Sequence, residues 1–422
     1  MDTMMTTDAW AKIGEQACKK NSNYTLPANL EGMFFCSAKS SEAIIVQIFV
    51  AIMFCTLMAV AIVGNSVVMW IIYKHKVMHY GFNFFLFNMA FADLMIALFN
   101  VGSSWTYNLY YDWWYGDMCT LTTFFGIAPT TVSVFSMMAL SWDRCQAVVN
   151  PLRKRPLSRR RSICFILIIW LISTVTALPY VLAARVNTLY SYDYDISTVS
   201  ITRVCESPVN RYFEQLLFVL QYAIPFAVVG FTFSRIAVAF AATNVASDNS
   251  SKSSSHNRAK NKAVKMLALM VVAFMVSWLP YHLYHTFELS AVFSGGHAKY
   301  TYLTIYWMAM SSSAYNPIIY CFANERFRIG FRYVFRWIPL VNCKRENYEY
   351  SQLFPDRMRS MAISLQKGRV NSSCLEKKSN TKEQSSHGFT IQSTPDIVQC
   401  VMHSEKNKKF SRSALLSCHE TP

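Results

Sequence analysis

The sequence is short of charged residues. Only 15% of its 422 residues are Asp, Glu, Lys or Arg, whereas 53% are hydrophobic. Soluble globular chains carry about 25% charged residues, so this deficit argues against two or three soluble domains. It favours a membrane protein.

Acidic residues are fewer than basic ones. The sequence has 24 Asp and Glu and 40 Lys and Arg, which gives a formal net charge of +16. Such a balance suits nucleic-acid binding only if the bases form one patch. They lie instead in loops between apolar runs, so no nucleic-acid partner is predicted. An apolar segment is also missing from the first 40 residues, which argues against a cleavable signal peptide.

Charge is absent altogether from six long apolar runs. A helix needs about 20 mostly apolar residues to cross a bilayer core roughly 30 Å thick. A seventh run, Gly81–Tyr111, contains one charge, Asp93. Buried helices of a soluble protein are the alternative, but seven such runs with short connections would leave almost no polar surface. The six charge-free runs are Ala43–Tyr73, Met118–Trp142, Ser162–Ala184, Gln215–Ser234, Met266–Phe287 and Tyr300–Asn324.

The sequence therefore predicts an all-α membrane protein with a seven-transmembrane helix bundle over residues 43–324. Residues 1–42 are predicted to form an extracellular amino-terminal segment. The predicted spans, numbered one to seven, are residues 43–73, 81–108, 118–144, 162–184, 212–240, 262–288 and 300–323.

Basic residues predict the topology. They follow spans one and three and precede span six, as at Lys74, Arg153 and Lys265, whereas the opposite loops are acidic or balanced. By the positive-inside rule, the amino terminus is outside and the carboxyl terminus inside the cell. Asn23, in the sequence Asn23-Tyr24-Thr25, is then a predicted glycosylation site. We expect a multi-pass protein of the plasma membrane.

The segment after span seven has two predicted parts. Arginines alternate with apolar residues at helical spacing over residues 325–337, which predicts a short amphipathic helix in the membrane interface, in contact with lipids. Cys343 follows it and is a candidate for palmitoylation, with a free thiol as the alternative. Residues 338–422 are predicted to be a flexible cytoplasmic tail that kinases phosphorylate.

Few of the 12 cysteines lie on the oxidising side of the membrane. Cys119 opens span three at its outer end, and Cys205 lies in the outer loop after span four. A bond between them would hold that loop over the mouth of the bundle. Cys18 and Cys36 are candidates for a second bond, which the sequence alone leaves open.

Asp93 is the only ionisable residue deep in a predicted span. A charge there costs roughly 2.5–3.5 kcal/mol on insertion scales, which indicates a function. Polar residues of spans one, three and seven could meet it: Asn65, Ser133, Ser312, Ser313 and Asn316. For the serines, a bond to their own helix backbone is the alternative.

Three spans are predicted to contain interior prolines, Pro225, Pro280 and Pro317, each of which removes a helix hydrogen bond. Trp278 and Tyr320 flank the weakened turns. A packing role is the alternative for any one proline, but together the three suggest hinges.

The ordered set of landmarks, one or two in each span, resembles the rhodopsin-like class A of G protein-coupled receptors. The resemblance extends from about Ala43 to Trp337. The matching residues are Gly64-Asn65, Ala92-Asp93, Cys119, Asp143-Arg144, Trp170, Pro225, the set Phe274, Trp278 and Pro280, and the string Asn316 to Tyr320.

The resemblance implies roles for these residues. Arg144 looks like the switch arginine, which Asp143 holds at rest and which meets the G protein when span six moves outward. Pro151-Leu152 resembles a loop segment that enters a pocket on that partner. Trp278 with Phe274 resembles the packing switch beneath the ligand, and the Asp93 set resembles a sodium site that stabilises the resting state: Asn65, Asp93, Ser133 and Asn316. Receptor kinases and arrestin are the implied partners of the tail, and no other cofactor is expected.

The sequence departs from the family pattern at two positions. Cys145 replaces the usual Tyr after Arg144, which we expect to alter coupling only in detail. Phe233 stands where span five often carries a Tyr that reaches toward the arginine. Loss of that hydroxyl is expected to lower or shift signalling efficiency.

Two absences narrow the predicted ligand. Gly126 occupies the place where receptors for biogenic amines carry an anchoring Asp, and span seven has no Lys for a retinal Schiff base. The predicted pocket residues are aromatic or neutral, which favours a peptide: Trp105, Tyr107, Gly126, Tyr281, His282, His285 and Trp307. A metal site at His282, His285 and Glu288 is a minor alternative.

At finer resolution, Trp278 to His282, Ala309 to Ser312, Tyr315 to Cys321 and Asn324 to Phe331 resemble the tachykinin receptors and their invertebrate relatives. Peptides of the neuropeptide Y/F or RFamide type are alternative ligands. A transporter or channel is a distant alternative. The lack of an evident repeat and the single buried charge argue against it. The sequence shows no specific motif for a nucleophile, a catalytic dyad or a metal cluster, so an enzyme is not predicted.

Overall fold

A computed structural model describes residues 7–18, 34–36, 43–150, 158–193, 198–246, 254–287, 298–339, 341, 343–357, 398–402 and 416–420. The chain divides into two units, Met1–Lys344 and Arg345–Pro422. The second unit contains a short helix, Arg345–Glu349, and two antiparallel strands, Val398–Met402 and Leu416–Glu420.

Seven long helices form the bundle in the described part of the first unit. Spans one to four are Ile44–Lys74, Gly81–Tyr110, Met118–Val149 and Arg159–Ala183. Span five begins with Arg211–Phe218, passes through a π-helical turn at Val219–Ala223 and continues as Ile224–Ala246; spans six and seven are Ser254–Thr286 and Ala298–Ala323. A three-stranded sheet covers one end of the bundle, which we call the hairpin end, and a short helix, Glu325–Val334, lies at the other.

Six of these helices, within the described residues, are long and apolar enough to cross a membrane. Span seven is long enough, at 26 residues, but more polar. Its polar side chains are buried against spans one, two and six, as at Ser311, Ser313 and Asn316. Because these groups face the interior of the bundle and not lipid, span seven completes a seven-helix membrane bundle.

Several helices extend beyond the ranges that charge patterning predicts. Span three continues to Val149, five residues past the predicted end, and span six begins at Ser254. Span four begins at Arg159 because Ser158 caps it, its Oγ accepting a bond from the Arg161 N–H at 3.4 Å. Charged residues mark the edge of the apolar region, but they do not end a helix.

Close packing joins spans one and seven at a glycine. A Cβ atom on Gly64 would lie 2.7 Å from Pro317 Cβ, so no larger residue fits without a shift. Ala61, Ala97 and Ala314 form a cluster of small side chains between spans one, two and seven. Large apolar residues on the outer faces, such as Leu171 and Phe226, are exposed and suit contact with lipid.

Buried polar bonds tie the middle of the bundle together. Asn88 Nδ2 donates to Ser136 Oγ at 2.9 Å, and Trp170 Nε1 donates to Asn88 Oδ1 at 2.9 Å, which joins spans two, three and four. Gln221 Nε2 donates to Thr131 Oγ1 at 2.8 Å and joins span five to span three.

Interior prolines occur in two further spans besides those named from the sequence. Pro129 lies inside span three and Pro179 inside span four, in addition to Pro280 and Pro317. In span five, Pro225 lies two residues after the end of the π-helical turn. A second π-helical turn, at Ala97–Val101, interrupts span two where there is no proline.

The hairpin end carries structure that the sequence did not reveal. Strands β2, Arg185–Asp193, and β3, Thr198–Glu206, form an antiparallel hairpin between spans four and five, and β1, Phe34–Phe35, pairs parallel to β2. An amino-terminal helix, Thr7–Cys18, packs on this hairpin, and a Cys18–Cys36 disulfide ties it to β1. The described part of the amino-terminal segment therefore packs on the hairpin.

At the opposite end, the helix Glu325–Val334 packs on the bundle. Phe327 is fully buried and stacks on Tyr320, with ring centroids 5.3 Å apart. A Cβ on Gly330 would lie 2.5 Å from Ile71 Cδ1, so the glycine permits close contact with span one. Burial, together with the Lys74 charge, lowers the pKa of His75 to about 4, so this ring is neutral at pH 7.

Candidate functional site

A cavity of about 230 Å³ lies within the bundle at the hairpin end. Spans two, three, five, six and seven line it, and Cys205 of β3 contributes to its rim. None of the lining residues is charged. Amides and aromatic rings predominate: Asn100, Asn108, Gln221, Tyr107, Trp113, Trp278, Tyr281, Tyr302 and Tyr306.

Two larger cavities, of about 800 and 510 Å³, are grooves on the bundle's flank. One lies between spans five and six, the other between span one, span seven and the helix Glu325–Val334. Their lining is almost wholly apolar, as suits contact with lipid. The small polar cavity is the better ligand site because only it offers convergent hydrogen-bonding groups.

Gly126 lines the cavity and permits a close approach between spans. Asn100 Nδ2 donates to the Thr122 carbonyl at 3.0 Å, and the Tyr306 hydroxyl donates to Asn100 Oδ1 at 2.8 Å. A Cβ on residue 126 would lie only 2.7 Å from Asn100 Nδ2. Glycine therefore allows one amide to join spans two, three and seven.

An aromatic cluster forms the wall on spans six and seven. The Tyr281 and His285 rings lie 4.5 Å apart, and Tyr284 lies 5.3 Å from Tyr302. His282 is 3% exposed and packs against Phe218 and Tyr222 of span five and not against the cavity. Glu288 lies outside the described residues, and no group of metal ligands occurs among the described ones.

Two tryptophans predicted for the pocket lie elsewhere. Trp105 stacks on Phe54 of span one at 5.7 Å between centroids. Trp307 Nε1 donates to the Met53 carbonyl of the same span at 3.5 Å. Both rings pack against span one because the rotation of spans two and seven turns these two positions toward it. Among the predicted residues, Tyr107, Gly126 and Tyr281 line it.

The loop cover is fixed by the Cys119–Cys205 disulfide, which joins span three to β3. Trp113, 1% exposed, supports the same region, and its backbone N–H donates to the Arg203 carbonyl at 2.7 Å. Asp112 Oδ1 accepts from the Arg203 N–H at 3.0 Å. The hairpin is therefore held against the cavity from two sides.

Deeper in the bundle, Asp93 is 2% exposed and collects donors from two other spans. Asn316 Nδ2 donates to Asp93 Oδ2 at 2.8 Å, and the Ser133 and Ser313 hydroxyls each donate to Asp93 Oδ1 at 3.4 Å. Asn65 donates to the Ala61 and Ser313 carbonyls and not to Asp93. Its Oδ1 atom is buried without a hydrogen-bond partner.

Comparisons with known proteins agree with this architecture. The family model described as 7 transmembrane receptor (rhodopsin family) matches residues 64–320, more than half of the chain. The chain belongs to the rhodopsin family of seven-transmembrane receptors. Its members are signalling receptors and not enzymes.

Named relatives place it within that family. The chain is 70% identical over 417 residues to the "Probable G-protein coupled receptor tkr-1" of Caenorhabditis elegans, a match that covers 99% of this chain and 100% of the relative. It is 36% identical over 287 residues to the "Substance-P receptor" of Aquarana catesbeiana, covering 67% and 69% of the two chains. It is 34% identical over 289 residues to the "Neuromedin-K receptor" of Rattus norvegicus, covering 67% and 62%. The resemblance to class A and to its tachykinin group is confirmed.

In this receptor, a continuous set of contacts runs from the cavity to Asp93. Trp278 lines the cavity, stacks on Phe274 at 5.6 Å and donates from Nε1 to Ser312 Oγ at 2.9 Å. The next residue, Ser313, donates to Asp93. Trp278 therefore contacts span seven directly through the Ser312 side chain.

The receptor's Arg144 is held on two sides. Asp143 Oδ2 accepts from its Nε at 3.2 Å and from its Nη2 at 2.5 Å, and the guanidinium lies 4.1 Å from the Phe82 ring centroid. Phe82 is a contact that sequence reasoning missed. Phe233 packs beside Cys145 in an apolar cluster with Ile236 and Val264. Pro151, Leu152 and Asn23 lie outside the described residues.

Sequence reasoning also missed the amides of the cavity, Asn100, Asn108 and Gln221. The available signal was the presence of uncharged amides in otherwise apolar spans, which tends to mark an interior face. Tyr302 and Tyr306 were missed because the aromatic content of span seven gives no indication of which ring faces inward.

Replacing Gly126 by alanine is expected to destabilise the receptor and weaken ligand binding. The new Cβ would displace the Asn100 amide from Thr122 or Tyr306, at a cost of about 1–2 kcal/mol. A thermal-unfolding assay on purified receptor should show the loss. Gly230→Ala is the matched control, because a Cβ there meets nothing within 4 Å. Equal thermal stability of the two variants would contradict this role for Gly126.

Proposed function

We propose that this receptor binds an extracellular neuropeptide of tachykinin type and, when occupied, activates a heterotrimeric G protein. The observation that carries the proposal is the contact path from the cavity through Trp278 and Ser312 to the Asp93 cluster. The printed names of relatives, which refer to substance P and neuromedin K, support the ligand class. Neuropeptide Y/F-like and RFamide-like peptides are the second candidates.

The cavity supports a peptide in two ways. Its amides and hydroxyls, at Asn100, Asn108 and Gln221, match the donors and acceptors of a peptide backbone. Its volume, about 230 Å³, is small for a whole peptide. One end of the ligand therefore enters the cavity, while the rest lies against the hairpin and the amino-terminal helix.

Activation follows as a population shift between two packed arrangements. The ligand favours the arrangement it contacts better, through Tyr281 and Trp278 on span six. The weak turn at Pro280 lets span six move. That movement removes packing from beside Arg144. The arginine then leaves Asp143 and Phe82 and contacts the G protein, and Pro151 and Leu152 contact the same partner.

The residues around Asp93 fit the sodium ion that the family resemblance implies. Sodium is a hard cation that prefers oxygen ligands, and the cluster offers the Asp93 carboxylate, the Ser133 and Ser313 hydroxyls and the buried Asn65 Oδ1. Asn316 would orient the carboxylate. A bound ion would supply positive charge that offsets the cost of burying Asp93 and thereby stabilise the resting arrangement.

The orientation and the modifications are part of the proposal. The hairpin end faces the outside, with Asn23 glycosylated, and Glu325–Val334 lies in the inner membrane interface with its Phe residues toward the bundle. Cys343 is half-buried and carries a palmitoyl chain. The tail, once phosphorylated by receptor kinases, binds arrestin.

The proposal is tested by expressing the receptor in cells and applying a neuropeptide panel that includes amidated tachykinin-like, neuropeptide F-like and RFamide peptides. Intracellular calcium and cyclic nucleotide are recorded, with surface expression measured in parallel. We expect a saturable response to tachykinin-like peptides that G protein inhibitors remove. Silence toward every peptide despite surface expression, or an ion current that persists after inhibition, would overturn it.

A further inference from the structure

Glu214, near the start of span five, is half-buried, whereas Glu15 and Asp117 at the same end are exposed. Glu206 pairs with Arg185 at 3.4 Å and also accepts from Asn187, while Asp112 accepts from the Arg203 N–H and from Trp114 Nε1. Glu214 makes no salt bridge within the described residues, although it is only half-exposed. A partly buried carboxylate without a cation is costly, which indicates that a ligand supplies the cation.

The hydroxyl of Tyr180, a neighbour of Glu214, also lacks a hydrogen-bond partner of normal geometry. The Tyr180 side chain of span four is 6% exposed. The Glu214 carboxylate faces this hydroxyl. Two polar groups from adjacent spans therefore converge, with bonding capacity to spare.

The surroundings of Glu214 suit a cation. Glu214 lies three residues before Leu217 on the same helical face of span five, and Leu217, Tyr281 and Tyr302 all line the cavity. Tyr306 continues the row of rings at 6.3 Å from Tyr302. Electron-rich rings beside a carboxylate attract ammonium and guanidinium groups. No lysine or arginine lines the cavity to compete for that position.

We propose that Glu214 determines ligand specificity by binding a cationic group of the peptide, with Tyr180 as a second hydrogen-bonding partner and the tyrosine rings as an aromatic wall. The group is the guanidinium of an arginine, the ammonium of a lysine or the amino-terminal ammonium. This inference rests on the proposed function, because it concerns which peptides that same cavity accepts.

The test uses the most potent peptide of the panel and neutral versions of it. Each arginine is replaced by citrulline, each lysine by norleucine, and one version is acetylated at its amino terminus, so that the three sources of charge are separated. Potency is measured on the wild-type receptor, on Glu214→Gln and on the control Asp117→Asn, which removes an exposed carboxylate at the same end of the bundle, with surface expression checked for each.

We expect one neutral version to lose about 10-fold or more in potency on the wild-type receptor. Glu214→Gln should lose a similar factor with the unmodified peptide and should no longer distinguish the two versions, because the change in peptide and the change in receptor remove the same interaction. Asp117→Asn should keep the wild-type discrimination.

The inference is overturned if the wild-type receptor treats every neutral version like the parent peptide, or if Glu214→Gln keeps full discrimination. Should Glu214→Gln fail to reach the surface, Glu214→Asp, which keeps the charge, takes its place and must preserve the discrimination; its loss counts against the inference. Silence of the wild-type receptor toward all peptides would refute the proposed function itself, which distinguishes the two failures.

Discussion

Replacing Arg144 by alanine is expected to abolish signalling while peptide binding stays nearly unchanged. The Arg144 side chain is 25% exposed and is held by Asp143 and Phe82. It lies about 25 Å along span three from Ile127, the last residue of that helix to line the cavity. Removing a charged group that meets a partner in the active arrangement costs about 2–5 kcal/mol, so G protein activation should fall by about 30-fold or more. Radioligand binding and nucleotide exchange on the same membranes separate the two effects.

The control for this variant is Arg159→Ala. Arg159 lies at the same end of the bundle, and its guanidinium is 5.7 Å from the Phe84 ring centroid, so loss of charge and of a ring contact is matched. We expect near-normal signalling from Arg159→Ala. Arg144→Lys should be strongly impaired, because lysine keeps the charge but not the planar fork. Unchanged signalling by Arg144→Ala would remove the arginine from the mechanism.

Replacing Asp93 by asparagine is expected to remove the sodium dependence of agonist binding. In the wild-type receptor, exchanging choline for sodium at constant ionic strength should weaken agonist binding by about 10-fold, because the ion stabilises the resting arrangement. Asparagine keeps the size of Asp93 but lacks the negative charge and one acceptor oxygen. The ratio of agonist affinity in choline to that in sodium should therefore fall to about 1.

Asp117→Asn is the matched control for that measurement, since Asp117 is an exposed residue next to span three. It should show the same sodium effect as the wild-type receptor. A sodium effect that survives in Asp93→Asn would place the ion elsewhere, and its absence from the wild-type receptor would show that the oxygen cluster binds no sodium that influences the ligand.

The bundle could be predicted from the sequence because lipid imposes a strict rule on composition. Long runs without charge identify spans, and Asp93 is conspicuous as the one charge inside them. Spacing within a helix also brought Phe274, Trp278 and Tyr281 to one region. These features depend on local sequence, which is visible without a structure.

Other features depend on contacts that a sequence does not reveal. The hairpin formed by β2 and β3, and the helix Thr7–Cys18 packed on it, lie in polar segments with no lipid to constrain their composition. Trp105 and Trp307 resemble pocket aromatics in sequence, but the rotation of their helices turns them toward span one. Phe82 reaches Arg144 because spans two and three pack together.

Gly126 could be singled out from the sequence, but its packing role could not. Its place in span three excluded an amine-anchoring carboxylate, which led to a peptide ligand. The structure adds that the missing side chain admits the Asn100 amide, which joins three spans. The same absence therefore bears on both ligand class and packing.

The central claim is that an occupied cavity drives exchange on a G protein, and reconstitution tests it most directly. Purified receptor in lipid nanodiscs is mixed with purified heterotrimeric G proteins, and nucleotide exchange is measured with and without an amidated tachykinin-like peptide. We predict that the peptide accelerates exchange on at least one G protein and that Arg144→Ala prevents this. Exchange that is indifferent to every peptide of the panel, with receptor shown to be folded, would contradict the account.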